Sequence, residues 1–430
     1  MTITRSTLEY LYSLQTFGMK LGLRNIRALL HFCDDPHKQF RSVHIAGTNG
    51  KGSTAAMIAA VLQSAGYRTG LYTSPHLVKF NERIRINGKM ISDADLIRYT
   101  AFFRPAIDKF KATFFEATTA IAFKYFSDEM VDVAVVETGL GGRLDATNVL
   151  IPEVSVITSI AKDHTQHLGN SLRRIAREKG GIIKRGKPCV IGAMGRSARR
   201  ELNRIAEQRY SRLIPIDAVK STNRRENAAD VQVVDFASKK TSYEKIRIPL
   251  TGEHQMMNAK AAIAAIECLR SKGVPVSVHA IRRGFEQVRR LTGIRGRFEI
   301  LQRRPLIVLD VCHNPDAVSV TTASLREFDY RKLILVFGVM KDKDYRSMIR
   351  TFAALQPIVF AVQPDIERAL TAGIIADIFR ESNCRVHSWK TVADGLREAL
   401  RAQRKNDLLL VCGSHYVAGE ALQAFHALRG

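Results

Sequence analysis

Apolar positions in this chain follow two rhythms, one helical and one extended. Leu8, Leu11, Leu14 and Phe17 recur at helical spacing, and Arg24 to Phe32 forms a second such run. Between them, Phe17-Gly-Met-Lys-Leu-Gly-Leu23 reads as a turn. Arg41 to Ala46 predicts a short strand. It feeds a glycine-rich loop, and an Ala-rich helical run, Thr54 to Ala65, leaves that loop. Gly70 to Thr73 predicts another strand, ending in a polar stretch that reaches Gly88. Ser92 reads as a helix N-cap, and Thr113 to Phe126 as an apolar helix. The valine-rich run Val131 to Thr138 predicts a buried parallel strand. Val154 to Ile160 and Pro188 to Gly192 predict two more. Between them, Leu172 to Arg185 reads as a helix interrupted at Gly180-Gly181.

Ser197 to Arg209 predicts a helix, and residues 210–250 read as strands with polar turns, 221–229 being an exposed loop. An Ala-rich helix runs from Gly252 to near Gly273, and a shorter one from Val276 to Val288. Gly293 to Arg297 carries two glycines, two arginines and no apolar run, which marks a domain boundary. Beyond it, strands at Leu306–Asp310, Leu333–Gly338, Ile358–Val362, Cys384–His387 and Leu408–Cys412 alternate with helical runs. Such alternation implies the α/β class, with parallel sheets covered on both faces. A length of 430 residues suggests two or three domains.

Composition narrows the class further. Hydrophobic residues make up 46% and charged residues 25%, as in a globular protein. The six cysteines lie far apart with no C-x-x-C pair, so neither a disulfide framework nor a zinc site is indicated. No signal-peptide pattern and no apolar stretch approaching ~18 residues is present, so the expectation is a cytoplasmic protein with no membrane partner. The net charge of +25 is unusual. The arginines spread over helical segments, and aromatic residues do not interleave with them as a nucleic-acid stacking surface requires. A solvated basic face that draws in anions fits better than a nucleic-acid site.

The glycine loop is His44-Ile-Ala-Gly-Thr-Asn-Gly-Lys-Gly-Ser-Thr54. Strand, glycine loop, helix is the order a phosphate cradle needs. Glycines let successive N–H groups turn inward, beside the positive end of the following helix. Thr48, Asn49, Gly50, Lys51, Gly52 and Ser53 are therefore the candidate nucleotide-binding residues. Lys51 supplies a cation and the Ser53 hydroxyl a ligand for Mg²⁺. Gly52 between the lysine and the serine departs from the general pattern G-x-x-x-x-G-K-[ST]. Glu137 and His164 each follow an apolar strand, so both should reach the rim that holds the loop. A carboxylate, an imidazole and a hydroxyl there suit Mg²⁺ on nucleotide phosphates.

The chain resembles the folylpolyglutamate synthase and dihydrofolate synthase family of the Mur ligase superfamily. The resemblance is carried in order by GTNGKGS (47–53), TSPHL (73–77), NERI (81–84), FFE (114–116), ETGLGGRLDATN (137–148), KDH (162–164), EKGGI (178–182), GEHQMMNA (252–259), GRFE (296–299), DVCHNPDA (310–317) and GSHY (413–416). The glycine after the P-loop lysine is the form this family uses. Asp316 and His415 are small departures from it. The resemblance implies a mostly parallel P-loop domain over 1–293, a linker at 294–297 and a smaller Rossmann-like α/β domain over 298–430. It also implies ATP-dependent addition of L-glutamate to dihydropteroate or reduced folates through an acyl phosphate.

By the same resemblance, Ser53, Ser74, Glu137, His164 and a carbamylated Lys179 would hold two Mg²⁺ ions. Asn258, Arg297 and Asp310 would contact ATP, and Lys51, Lys179, Asp310 and His313 would act in catalysis. Leu21, Gly22, Phe114, Phe115, Glu116, Leu144, Asp145 and Ala146 would take the pterin, by stacking and by accepting its N–H groups. Both glutamate additions in one monomeric enzyme are expected. Only one of the two activities, another Mur-type amino-acid ligase, or a basic NTPase stimulated by nucleic acid are the alternatives.

Overall fold

The structure, a computed structural model, describes residues 3–18, 22–224 and 231–428. Its largest layer is an eight-stranded sheet. From one edge the strands are Lys89–Met90, Ile84–Ile86, Thr69–Tyr72, Val133–Glu137, Arg41–Ala46, Val154–Ile157, Cys189–Ile191 and Leu213–Pro215. Only the two edge pairings at Ile84–Ile86 are antiparallel. The sheet centre is Arg41–Ala46. Ile45 pairs with Glu137 on one side and Ala46 with Ile157 on the other. All three strands therefore end at one rim, where the glycine loop begins. In a parallel sheet that carboxyl rim is where loops converge and ligands bind.

The loop leads into helix Lys51–Ser64, in which Ser53 through Leu62 are all buried. Small and apolar residues on every side let it pass through the core rather than lie upon it. Helices Glu253–Arg270 and Val278–Glu286 pack against it and share its hydrophobic cluster. A second cluster covers the opposite face and includes Tyr72, Phe103, Phe123 and Phe126.

Several local expectations change. The stretch after residue 81 forms the edge strands Ile84–Ile86 and Lys89–Met90 rather than a polar loop alone. Residues 221–224 belong to strand Lys220–Arg224, in a three-stranded antiparallel sheet with Gln232–Ala237 and Ser242–Ile248. The rest of the expected 221–229 loop lies outside the described residues. Helix Leu172–Gly180 stops at the glycine pair instead of running on to 185.

A separate six-stranded sheet follows, in the order Glu299–Arg303, Leu306–Leu309, Leu408–Cys412, Leu333–Phe337, Ile358–Val362, Arg385–Trp389. Five strands are parallel. The edge strand Glu299–Arg303 is antiparallel and was not expected, because its glutamate, glutamine and arginine hide the extended rhythm. Helices cover both faces. The α/β architecture expected from sequence, a large parallel-dominated sheet plus a second C-terminal sheet, is what the chain forms. Among the described residues, no helix is long and apolar enough to cross a membrane.

Candidate functional site

The glycine loop forms one wall of a cleft of about 1210 Å³. Gly50 has a left-handed backbone (φ 86°), and a Cβ there would fall onto the side-chain oxygen of Asn258. Thr48 N–H donates to Ser159 O at 2.9 Å, and Asn49 N–H to Ser159 Oγ at 2.9 Å. The loop is thus pinned by the segment after strand Val154–Ile157. It leaves Gly50, Lys51, Gly52 and Ser53 lining the cleft.

The odd glycine has a geometric explanation. A Cβ at Gly52 would sit 3.2 Å from Arg297 Nη2 and 3.6 Å from Glu137 Oε2. Space over residue 52 is needed by a guanidinium arriving from the segment before the second sheet. Arg297 is part-buried, and Glu137 and Asp310 offset part of the cost of its charge there.

Glu137 is 4% exposed. Its Oε1 lies 3.8 Å from Lys51 Nζ, and Oε2 accepts from Ser74 N–H at 3.3 Å. Burial raises its pKa, while Lys51 and Arg297 pull the other way. Ser74, Glu137, Lys51 and the loop therefore meet at one rim.

His164 completes that rim with a left-handed backbone (φ 49°), an uncommon conformation for a residue with a Cβ. Its Nε2 lies 3.1 Å from Lys343 Nζ, which also donates to Asp163 Oδ1 at 2.7 Å. Asp163 further faces His313 Nε2 at 3.4 Å and accepts from Asn314 Nδ2 at 3.2 Å. Burial alone would raise the Asp163 pKa. The hydrogen bond from His313 and the charges of His164, Lys343 and His313 outweigh burial and hold it well below the carboxylate range. Burial lowers His164 to about 4.

Lys179 stands behind the cleft, not on its lining. It is 4% exposed, and its ammonium donates to Gly47 O at 2.7 Å. Burial first, then the Lys51 charge, brings its pKa down to about 7. Among the described residues, no three His, Cys, Asp or Glu side chains gather closely enough to hold a metal unaided. One glutamate, one imidazole and two serine hydroxyls fit instead a Mg²⁺ that takes most of its oxygens from nucleotide phosphates.

The opposite wall comes from the second half of the chain. Asp310 Oδ2 accepts from Phe298 N–H and Oδ1 from Cys312 N–H, both at 2.7 Å. Asn49 Nδ2 donates to Asp316 Oδ2 at 2.8 Å, and Asn314 Nδ2 donates to Asn49 Oδ1 at 2.9 Å. Asp316 thus ties the glycine loop to helix Pro315–Leu325 of the second half. Asn258, Arg297, Asp310 and His313 all line the cleft.

The far end of the cleft holds Gly22, Phe114, Phe115, Glu116, Leu144, Asp145 and Ala146. Leu21 lies outside the described residues. Glu116 is engaged in a capping box, accepting from Thr113 N–H at 2.8 Å. Asp145 accepts from Leu140 N–H at 2.8 Å and from Thr147 N–H at 3.0 Å. Both carboxylates therefore shape the pocket as well as facing it. The Phe114 ring is stacked by Tyr12 (centroids 5.7 Å) and covered by the Arg83 guanidinium at 5.3 Å.

Sequence reasoning gave no role to Lys343, Asp163 or Arg83. Lys343 and Asp163 each sit in a loop after a strand, the only signal available. The 180 residues between them hid their pairing.

Comparison with known proteins now adds identity. The Mur ligase middle domain family matches residues 45–266, and the Mur ligase glutamate ligase domain family matches 296–415. The Bacillus subtilis dihydrofolate synthase/folylpolyglutamate synthase is 35% identical over 411 residues, 93% of this chain and 94% of its own. A Mycobacterium tuberculosis folylpolyglutamate synthase complexed with ADP superposes with a TM-score of 0.90 at 32% identity, covering 98% of this chain and 99% of that one. A bifunctional folylpolyglutamate synthase/dihydrofolate synthase with Mn, AMPPNP and L-glutamate bound gives 0.85 at 30% identity, over 98% of each chain. A phosphate cradle faced by a second sheet, within a likeness that runs nearly end to end, places this chain in the folylpolyglutamate synthase/dihydrofolate synthase family of ATP-dependent glutamate ligases.

Proposed function

We propose that this one cleft binds ATP, a pterin carrying a carboxylate, and L-glutamate, and that the residues assembled there divide the work as follows. The substrate carboxylate attacks the γ-phosphorus and ADP leaves. The amine of glutamate then attacks the acyl phosphate, and phosphate leaves. Both partners are anions, so the first demand is positive charge at the phosphates and fixed alignment. The loop amides and Lys51 hold the β- and γ-phosphates. Arg297 reaches them over Gly52, while Asn258, Asp310 and His313 close the nucleotide end. Divalent metal bound by Ser53, Ser74, Glu137 and His164 would supply further charge neutralisation. The ADP, AMPPNP, Mn and L-glutamate in the related structures support this set of ligands.

Lys179 is the residue we assign to carbamylation. A neutral amine adds to CO₂, releases one proton and becomes an anionic carbamate. Its lowered pKa keeps neutral amine available near pH 7. The pterin would lie against Phe115 between Gly22 and the Leu144–Ala146 loop.

Residues 1–293 would bind the nucleotide, with 298–430 closing over it across the linker 294–297. We take the enzyme to be a cytoplasmic monomer. All six thiols are free and buried, as a reducing compartment allows.

The observation that carries the proposal is Arg297 packed over Gly52, which makes a single site of two sheets. The test is ATP-dependent incorporation of labelled glutamate, with dihydropteroate or tetrahydrofolate as acceptor. Product with both acceptors supports the bifunctional enzyme. Product only with a cell-wall precursor, or ATP hydrolysis driven by nucleic acid without glutamate, contradicts it.

A further inference from the structure

A second cleft, of about 290 Å³, lies on the other side of the segment 143–148. Helix Arg24–His31, the C-terminal end of helix Leu172–Gly180 and helix Arg196–Gln208 frame it. Five cations line it: Arg27, Arg143, Arg177, Lys184 and Arg209. No carboxylate does. Arg143 is paired with Glu178 at 2.9 Å and Arg177 with Glu201 at 3.0 Å. Among the described residues, Arg27, Lys184 and Arg209 have no ion-pair partner. Lys184 Nζ donates to Asn148 O at 2.9 Å. Burial, then the charges of Arg209 and Arg27, brings its pKa down to about 8. Three neighbouring cations without counter-charge repel one another, and an oxyanion bound among them relieves that repulsion.

We infer that this cleft is a binding site for a small multivalent oxyanion, separate from the nucleotide cleft. Arginine forks match phosphate and carboxylate oxygens in pairs. The volume admits a diphosphate or a short run of carboxylates. The floor of the cleft is also connected to the catalytic loops. Asn148 Nδ2 donates to Arg143 O at 3.0 Å and to Gly181 O at 3.2 Å. Arg143 directly precedes Leu144, and Gly180 and Gly181 directly follow Lys179. Asn148 Oδ1 is buried and accepts no hydrogen bond among the described residues. Two sources share this chemistry, phosphates and the carboxylates of a γ-linked glutamate chain.

The test uses the full chain saturated with Mg²⁺ and AMPPNP, so that the glycine loop is filled. Calorimetry then measures binding of pyrophosphate in one arm and of γ-linked triglutamate in the other. One equivalent of either probe should bind, more weakly as salt rises. The double substitution Arg27→Ser/Arg209→Ser should weaken binding about tenfold or more, and Arg27→Lys/Arg209→Lys should weaken it less, keeping the charge but losing the paired contacts. Both arginines are exposed, and an unchanged melting temperature verifies the fold. The probe that binds identifies the source, and binding of both is the shared-chemistry result. No binding by the intact protein, or binding indifferent to the serine substitutions, overturns the site.

Discussion

The two clefts are separated by a single loop and handle charge in opposite ways. Three cations of the nucleotide cleft have a buried carboxylate beside them: Lys51 has Glu137, Lys343 has Asp163, and Arg297 has Glu137 and Asp310. In the basic cleft Arg27, Lys184 and Arg209 stand together without one among the described residues. Lys179 and Lys184, five residues apart, show the contrast in one short segment. Burial lowers both amines, to about 7 and about 8. The first stands behind the nucleotide cleft and the second lines the basic one. A site that must bring two anions together needs its cations fixed beforehand, and neighbouring carboxylates let those cations be buried. A site left unbalanced is one that a bound anion can compensate.

Substitutions can break this contrast, beginning with the largest effect. Lys51→Ala removes the cation at the phosphates, and glutamate incorporation should fall by about 10²–10³-fold or more. Glu137→Gln should fall nearly as far and raise the Mg²⁺ concentration needed for half-maximal rate, measured by metal titration. Near-normal turnover in that variant removes Glu137 from the metal site. Lys179→Met should lose turnover while gaining stability at neutral pH. The folded amine titrates near 7 and the unfolded one near 10.5. Between these values the unfolded chain holds the extra proton, so wild-type stability rises with pH across that window. In CO₂-free buffer, which leaves the amine unmodified, melting temperature against pH should show this slope in the wild type and a flatter one in the variant. Gly52→Ala places a methyl 3.2 Å from Arg297 and should raise the KM for ATP a few-fold with less effect on kcat. Smallest of all, Arg27→Ser/Arg209→Ser should leave unsupplemented turnover within about twofold, as exposed substitutions usually do.

How legible each wall was in the sequence follows from how local its signal is. Residues 41–54 carry strand, loop and helix in one stretch, so the cradle could be read directly. Glu137 and His164 could be placed at the same rim because each follows an apolar run. Lys343 could not, since its partner Asp163 lies 180 positions away and nothing local distinguishes it. The antiparallel edge strand Glu299–Arg303 escaped notice because edge positions tolerate polar residues. Glu116 shows a different limit. Resemblance placed it on the pterin side, where it does line the cleft, but its carboxylate also caps its own helix. Residue type and position were visible there, but the competing hydrogen bond was not.

The most direct measurement is single-turnover transfer of labelled glutamate onto dihydropteroate and onto tetrahydrofolate, comparing the intact protein with Glu137→Gln. ATP-dependent product on both acceptors, falling steeply and together in the variant, is the predicted result. Equal product from the two proteins, or ATP cleavage that never requires glutamate, contradicts the assignment of this cleft.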